Sequence, residues 1–191
     1  MRLTRAEQQA RTHSELLSAG RQVFLRRGFL AATVEEIAAD AGYTRGAVYK
    51  HFGGKEGLWL AVVSADAGTH LEGLRAALSS ASSVDGLVAV LSGIADAAKW
   101  ASVAAEVLAA TAAQPEIAAR IAEVQRQHDA QVTALLEEHV ARLGLTPAMP
   151  VRQVVVLLGA LGIGLALRQA FLDATDARTV LSQTLKSALA T

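Results

Sequence analysis

The side chains with the most chemistry to offer are gathered in one stretch, Thr33 to Lys55, which reads TVEEIAADAGYTRGAVYKHFGGK. Two short helices joined by a tight turn at Gly42 fit its spacing, and this is the sequence form of a helix-turn-helix. Glycine can take the left-handed conformation that ends the first helix. Ile37, Ala38, Val48 and Phe52 can supply a shared core. With Val48 and Phe52 inward, ~100° per residue puts Gly46 and Lys50 on the opposite side, with Tyr49 and Ala47 on the flanks. Arg45 projects from the N-terminal tip, the end that meets base edges when such a helix enters a DNA major groove. Charge points the same way. Residues Met1 to Leu58 hold nine basic and six acidic side chains, whereas the remainder holds nine and twelve, so a polyanion partner suits one end of a neutral chain.

Other chemistries have weaker support. His128 and His139 share a helical face, but eleven residues at ~1.5 Å rise put them about 16 Å apart, too far for one metal. Asp66 and His70 form an i,i+4 pair that could ligate zinc, with no third ligand nearby. The chain has no cysteine, so it has neither a disulfide framework nor a thiolate metal site. It lacks a G-x-S-x-G elbow, a P-loop and a dinucleotide fingerprint. The expectation is a protein that is not an enzyme and uses no cofactor or metal.

These side chains need elements to hold them. The 191 residues are 52% hydrophobic and 19% charged, a core-rich composition dominated by helical periodicity. All three prolines (Pro115, Pro147 and Pro150) lie in the second half. A first helix spans Thr4 to Arg27, with an apolar stripe at Leu17, Gly20 and Phe24 flanked by Leu16 and Val23, and Gly28 stops it. Thr33 caps the next, with Glu36 as the second half of a capping box. Thr44 caps a third that runs to Phe52, and Gly53-Gly54 separates it from a long helix starting near Lys55. Further helices are expected over Val84 to Trp100, Ser102 to Ala113, Pro115 to Leu143, Val151 to Thr175 and Ala177 to Ala190. The fold class is all-α with about nine helices, an N-terminal three-helix DNA-binding domain (1–54) and a C-terminal helical domain (55–191). No secretory signal is visible in the polar sequence after Met1-Arg2. The longest apolar run, Val154 to Leu167, falls short of the ~20 residues that span a bilayer, so the expected location is cytoplasmic with no membrane partner.

The Thr33 to Lys55 stretch closely resembles the DNA-binding signature of the tetracycline-repressor (TetR) family of transcriptional regulators. The matching positions are Thr33, Ile37-Ala38, Ala41-Gly42, Thr44, Gly46, Tyr49, His51-Phe52 and Lys55. By that resemblance Thr33, Tyr49, His51 and Lys55 touch phosphates, and Thr44, Arg45, Gly46, Ala47 and Lys50 face bases or adjacent backbone. Arginine can pair bidentately with guanine, and an alanine methyl can meet a thymine methyl. Tyr43 departs from the small aliphatic residue usual in the family, and either reaches a phosphate or covers the turn.

The resemblance also gives the rest of the chain a role. The two C-terminal helices, about 151–190, would form a four-helix bundle with a second copy. Gly159, Gly162, Ala166 and Ala170 offer small surfaces there, and Val180, Leu181, Thr184, Leu185, Ala188 and Leu189 recur at helical spacing. The middle helices would enclose a small, mostly apolar effector, with Trp100, Glu106, Gln114 and His128 as polar or aromatic handles. The implied function is a homodimeric, ligand-responsive repressor of a double-stranded operator. The alternatives are an activator, a regulator controlled by a protein partner, or a helical small-molecule binding protein with a vestigial DNA-binding head.

Overall fold

The structure, a computed structural model, describes residues 4–93, 98–112, 114–171 and 177–189, with the backbone alone at 98–101, 166, 169–171 and 177. Among the described residues there are nine α-helices and no strand: α1 (Arg5–Ala31), α2 (Val34–Asp40), α3 (Arg45–Phe52), α4 (Lys55–Ser80), α5 (Val84–Ser92), α6 (Ala98–Thr111), α7 (Pro115–Arg142), α8 (Val151–Phe171) and α9 (Ala177–Leu189). The all-α expectation holds. No helix among them is long and apolar enough to cross a membrane.

Local chemistry sets the ends of the N-terminal helices. A full capping box opens α1, where the Thr4 hydroxyl accepts from Glu7 N and the Glu7 carboxylate accepts from Thr4 N. Gly28, at φ 77° and ψ 174°, breaks α1, but helical geometry resumes after it and runs to Ala31. At α2 the Thr33 hydroxyl accepts from Glu36 N at 3.1 Å. The second half of the expected box is not made there. The Glu36 carboxylate goes to Arg26 and Arg27 on α1 instead, a pair of charge-assisted contacts that a backbone amide does not match. Gly42 (φ 74°) ends α2 in a Schellman turn, with Tyr43 N donating to Ala38 O and Gly42 N to Ala39 O. Thr44 occupies the cap position of α3, yet its side chain makes no capping hydrogen bond. Downstream, α5 ends at Ser92 and α6 begins at Ala98, with 94–97 outside the described residues, where periodicity suggested a continuous helix to Trp100.

Packing divides the chain into two compact units. The first comprises Met1–Asp66 with Val103–Ile121, and the second comprises Ala67–Ser102 with Ala122–Thr191. In the first, Leu16, Val23, Phe24, Ile37, Val48 and Leu58 are fully buried. Phe24 meets Trp59 edge-on at 5.4 Å between centroids and stacks with Phe29 at 5.8 Å. In the second, Leu87 and Leu91 of α5, Leu136 of α7, Val154 and Leu158 of α8 and Leu181, Leu185 and Leu189 of α9 form one core. The apolar stripe of α9 is thus spent inside its own chain, packed on α5 and α8. What α8 leaves outward is a different stripe: Val156 (55% exposed), Gly159, Ala160 and Ile163 (42% exposed).

Phe24→Ala removes the ring on which Phe29 and Trp59 pack. It is expected to cost about 3–5 kcal/mol of unfolding free energy, read from urea melts, as large-to-small changes at filled core sites do. A loss under ~1 kcal/mol would mean the first unit does not depend on this aromatic cluster.

Candidate nucleic-acid interface

An eight-residue helix does not hold itself in water, because nucleation is costly, so α3 depends on what it packs against. Val48 is its fully buried anchor, and Phe52 lies half-buried with its ring 4.5 Å from that of His13 on α1. Burying that face leaves Arg45, Gly46, Tyr49 and Lys50 exposed and Ala47 half-buried. A Cβ built on Gly46 would meet only the Thr44 hydroxyl, at 3.7 Å, so the start of α3 is open to close approach. Arg45 and Tyr49 form a unit one turn apart. The guanidinium lies 5.2 Å from the centre of the Tyr49 ring, donates to its hydroxyl at 3.5 Å, and pairs with Glu35 of α2 at 3.0 Å.

Three of the residues expected at phosphates come together. Thr33, Tyr49 and Lys55 line one shallow depression of about 360 Å³, with Gly53 and Gly54 between them. Lys55 is also a fastener: its ammonium donates to Phe29 O and Ala32 O, both at 3.0 Å, and lies 4.6 Å from the Phe29 ring centre. That leaves one of its three donors for another acceptor. His51 sits apart from this depression, half-buried with its ring 5.8 Å from His13. Burial, then the neighbouring His13 and Lys50, pushes its pKa below the ordinary 6.5.

Of the two roles left open for Tyr43, the geometry serves the turn. Its hydroxyl donates to the Glu15 carboxylate and accepts from Thr12 at 3.4 Å, both on α1. The Tyr43 hydrogen bond, and then that of Arg11, holds the Glu15 carboxyl below its usual range. The effector handles are placed differently from one another. The Trp100 side chain lies outside the described residues. Glu106 accepts from Leu30 N at 2.9 Å, so its carboxylate is engaged within the first unit and does not act as a free handle. Gln114 is exposed ahead of α7, its amide directed back at Ala110 O. His128 is half-buried in the second unit, 5.5 Å ring to ring from His70, and its Nδ1 is buried without a hydrogen-bond partner among the described residues. Burial, and then His70, lowers the His128 pKa. Of the Asp66 and His70 pair, Asp66 accepts from Arg21 Nε at 2.9 and 3.0 Å. Among the described residues no group of three or more histidine or acidic side chains is placed to hold a metal.

Residues 16–62, which contain this two-helix arrangement, match the family model described as bacterial regulatory proteins, tetR family. Over that stretch the chain is similar to the DNA-binding part of tetR-family regulators. Its similarity reaches well past the TetR head. The HTH-type transcriptional repressor AcnR of Corynebacterium efficiens is 27% identical over 154 residues, covering 79% of this chain and 78% of AcnR. The HTH-type transcriptional repressor BepR of Brucella suis is 46% identical over 63 residues, a third of each chain (33% and 30%). A Rhodococcus sp. protein described as a TetR-family transcriptional regulator shares the fold with a TM-score of 0.75, at 19% identity over 95% of this chain and all of that one. The matched stretch is that of helix-turn-helix transcriptional regulators.

Sequence reading missed the ties that brace this TetR head. Arg26 holds both Glu36 (3.0 Å) and Asp40 (2.8 Å), and Arg27 holds Glu36 at 3.3 Å. Arg26, and more weakly Arg27, keeps the Glu36 carboxyl below its ordinary 4.5. A carboxyl held low in the folded state stabilises above its unfolded pKa, and that contribution is lost as pH falls through the folded value. Glu36→Gln is therefore expected to lower the urea midpoint at pH 7, with the gap to the unaltered protein closing between about pH 5 and pH 3. A gap that persists at the lower end would show that the charge is not what braces α1 to α2.

Proposed function

We propose that this regulator is a homodimeric repressor that reads a palindromic operator with α3 and is released by a small, mostly apolar effector. The observation that carries the DNA-reading part is the outward row Arg45, Gly46, Tyr49 and Lys50 beside the depression that gathers Thr33, Tyr49 and Lys55. Arg45 and Lys50, with Thr44, Gly46 and Ala47, face bases or the backbone beside them. Thr33, Tyr49, His51 and Lys55 take phosphates. Tyr43 contributes by holding the turn.

One eight-residue helix reads few bases, so specificity needs a second copy, with the two reading helices ~34 Å apart to meet successive major grooves. The exposed stripe of α8, Val156, Gly159, Ala160 and Ile163, suits that contact: apolar, uncovered among the described residues, and small enough at Gly159 for a helix to come close. Domain roles divide at about residue 54, with 1–54 on DNA and 55–191 for effector and partner copy. An effector releases DNA only by binding the DNA-incompetent arrangement better than the competent one. The aliphatic core of the second unit favours an apolar compound, with His128 as a handle to recognise it. Repression as the sign of control follows AcnR, which covers most of this chain. A cytoplasmic location goes with binding DNA.

Two substitutions separate phosphate contact from base reading. Tyr49→Ala is expected to weaken binding to all duplexes alike and to reduce the slope of log affinity against log salt by about one. Arg45→Ala is expected to cost about 1–3 kcal/mol on the preferred site and to relax preference at particular base pairs. Both are read by fluorescence anisotropy on matched and mismatched duplexes at several salt concentrations. If neither changes affinity, slope or preference, α3 is not the reading element.

A further inference from the structure

The link between α1 and α2 is held by two charged side chains that come from far along the chain. Gly28 breaks α1 and leaves the amides of the following turn without their intrahelical acceptors. Glu106, on α6 and 76 residues later, supplies one: its Oε2 accepts from Leu30 N at 2.9 Å. From the other side, the Lys55 ammonium takes the carbonyls of Phe29 and Ala32. A carboxylate on the N–H end of a turn and an ammonium on its C=O end is the arrangement that complements the backbone dipole. The fit at Gly28 is close. A Cβ there would lie 2.5 Å from Glu106 Oε1 and 2.6 Å from Oε2, so any larger residue would displace the carboxylate.

We infer that Glu106 is a positioning residue for DNA binding, acting as the cap of the broken end of α1. This rests on the DNA-binding reading above. The turn that Glu106 and Lys55 hold between them runs directly into Thr33, the N-cap of α2, and Lys55 is the first residue of α4. Thr33 and Lys55 line the depression shared with Tyr49. Without the carboxylate, Leu30 N loses its acceptor and the turn is held by the lysine alone, so both phosphate positions lose a fixed reference. The same contact gives α6 a hold on the head.

The test combines amide hydrogen exchange at Leu30, followed by NMR, with affinity for a duplex selected by the protein from genomic DNA. Glu106→Ala is expected to speed Leu30 exchange about tenfold and to weaken duplex binding about five- to tenfold, the scale of one lost hydrogen bond at an exposed amide. Glu106→Gln keeps a carbonyl oxygen at the same place and is expected to retain Leu30 protection and affinity within about threefold. Gly28→Ala should mimic Glu106→Ala. Added to Glu106→Ala it should do less harm than alone, because the clash is gone and only backbone strain remains. Leu30 exchange unchanged in Glu106→Ala overturns the cap. Faster exchange with unaltered affinity overturns the positioning role, as does loss of affinity in Glu106→Gln equal to that in the alanine variant. If the unaltered protein selects no duplex, the DNA-binding reading fails and takes the positioning role with it, while Leu30 exchange still decides whether the cap exists.

Discussion

The first unit depends on keeping an eight-residue helix in place while one of its faces stays free. Alone in water α3 would not form, because closing its first turn costs more than its few hydrogen bonds return. Its stability is therefore borrowed from the contact surface of Val48, with Ile37 and Ala38 of α2 buried beside the same turn. Phe52 adds a second hold through His13 of α1. The polar residues on the outward face then follow from the inward ones, since both are fixed by a single helical phase.

Polar contacts complete what so small a core cannot. Tyr43 ties the turn to Glu15, Arg26 ties α1 to both ends of α2, and Lys55 ties the start of α4 to the end of α1. Most of these pairs are exposed and individually weak. Their effect is geometric. Each spans a junction between two helices, so together they leave α2 and α3 little freedom to rotate on α1. The second unit is built around a continuous aliphatic core, with polar ties such as Arg142 to Leu78 O and Lys186 to Asp85.

Much of the N-terminal third is legible in the sequence, because its signals are local. Gly42, Gly53 and the hydroxyl of Thr33 act within four residues of themselves, and their effect on the backbone does not wait for tertiary structure. The break at Gly28 is legible for the same reason, although resumption of helix through Ala31 is not, since its braces, Lys55 and Glu106, are 26 and 76 residues away. Glu36 shows how a local signal fails. Spacing offers its carboxylate to the Thr33 amide, but two arginines on another helix compete for the same oxygens. Glu106 has no local signature at all, and spacing in an alanine-rich helix made it look like a polar handle. At the C-terminus, periodicity finds the apolar stripes of α8 and α9, yet it cannot say which stripe faces the chain's own core. Burial of Leu181, Leu185 and Leu189 settles that for α9 and leaves Val156 and Ile163 outward on α8.

The central claim is that two copies of α3, held at fixed spacing, read DNA. Affinity selection of genomic fragments on the purified protein, followed by sequencing, tests it most directly. One enriched motif with two-fold symmetry is expected, its half-sites centred about one or two helical turns apart, ~34 Å each. No enrichment at either low or moderate salt, or an enriched motif without two-fold symmetry, would contradict it.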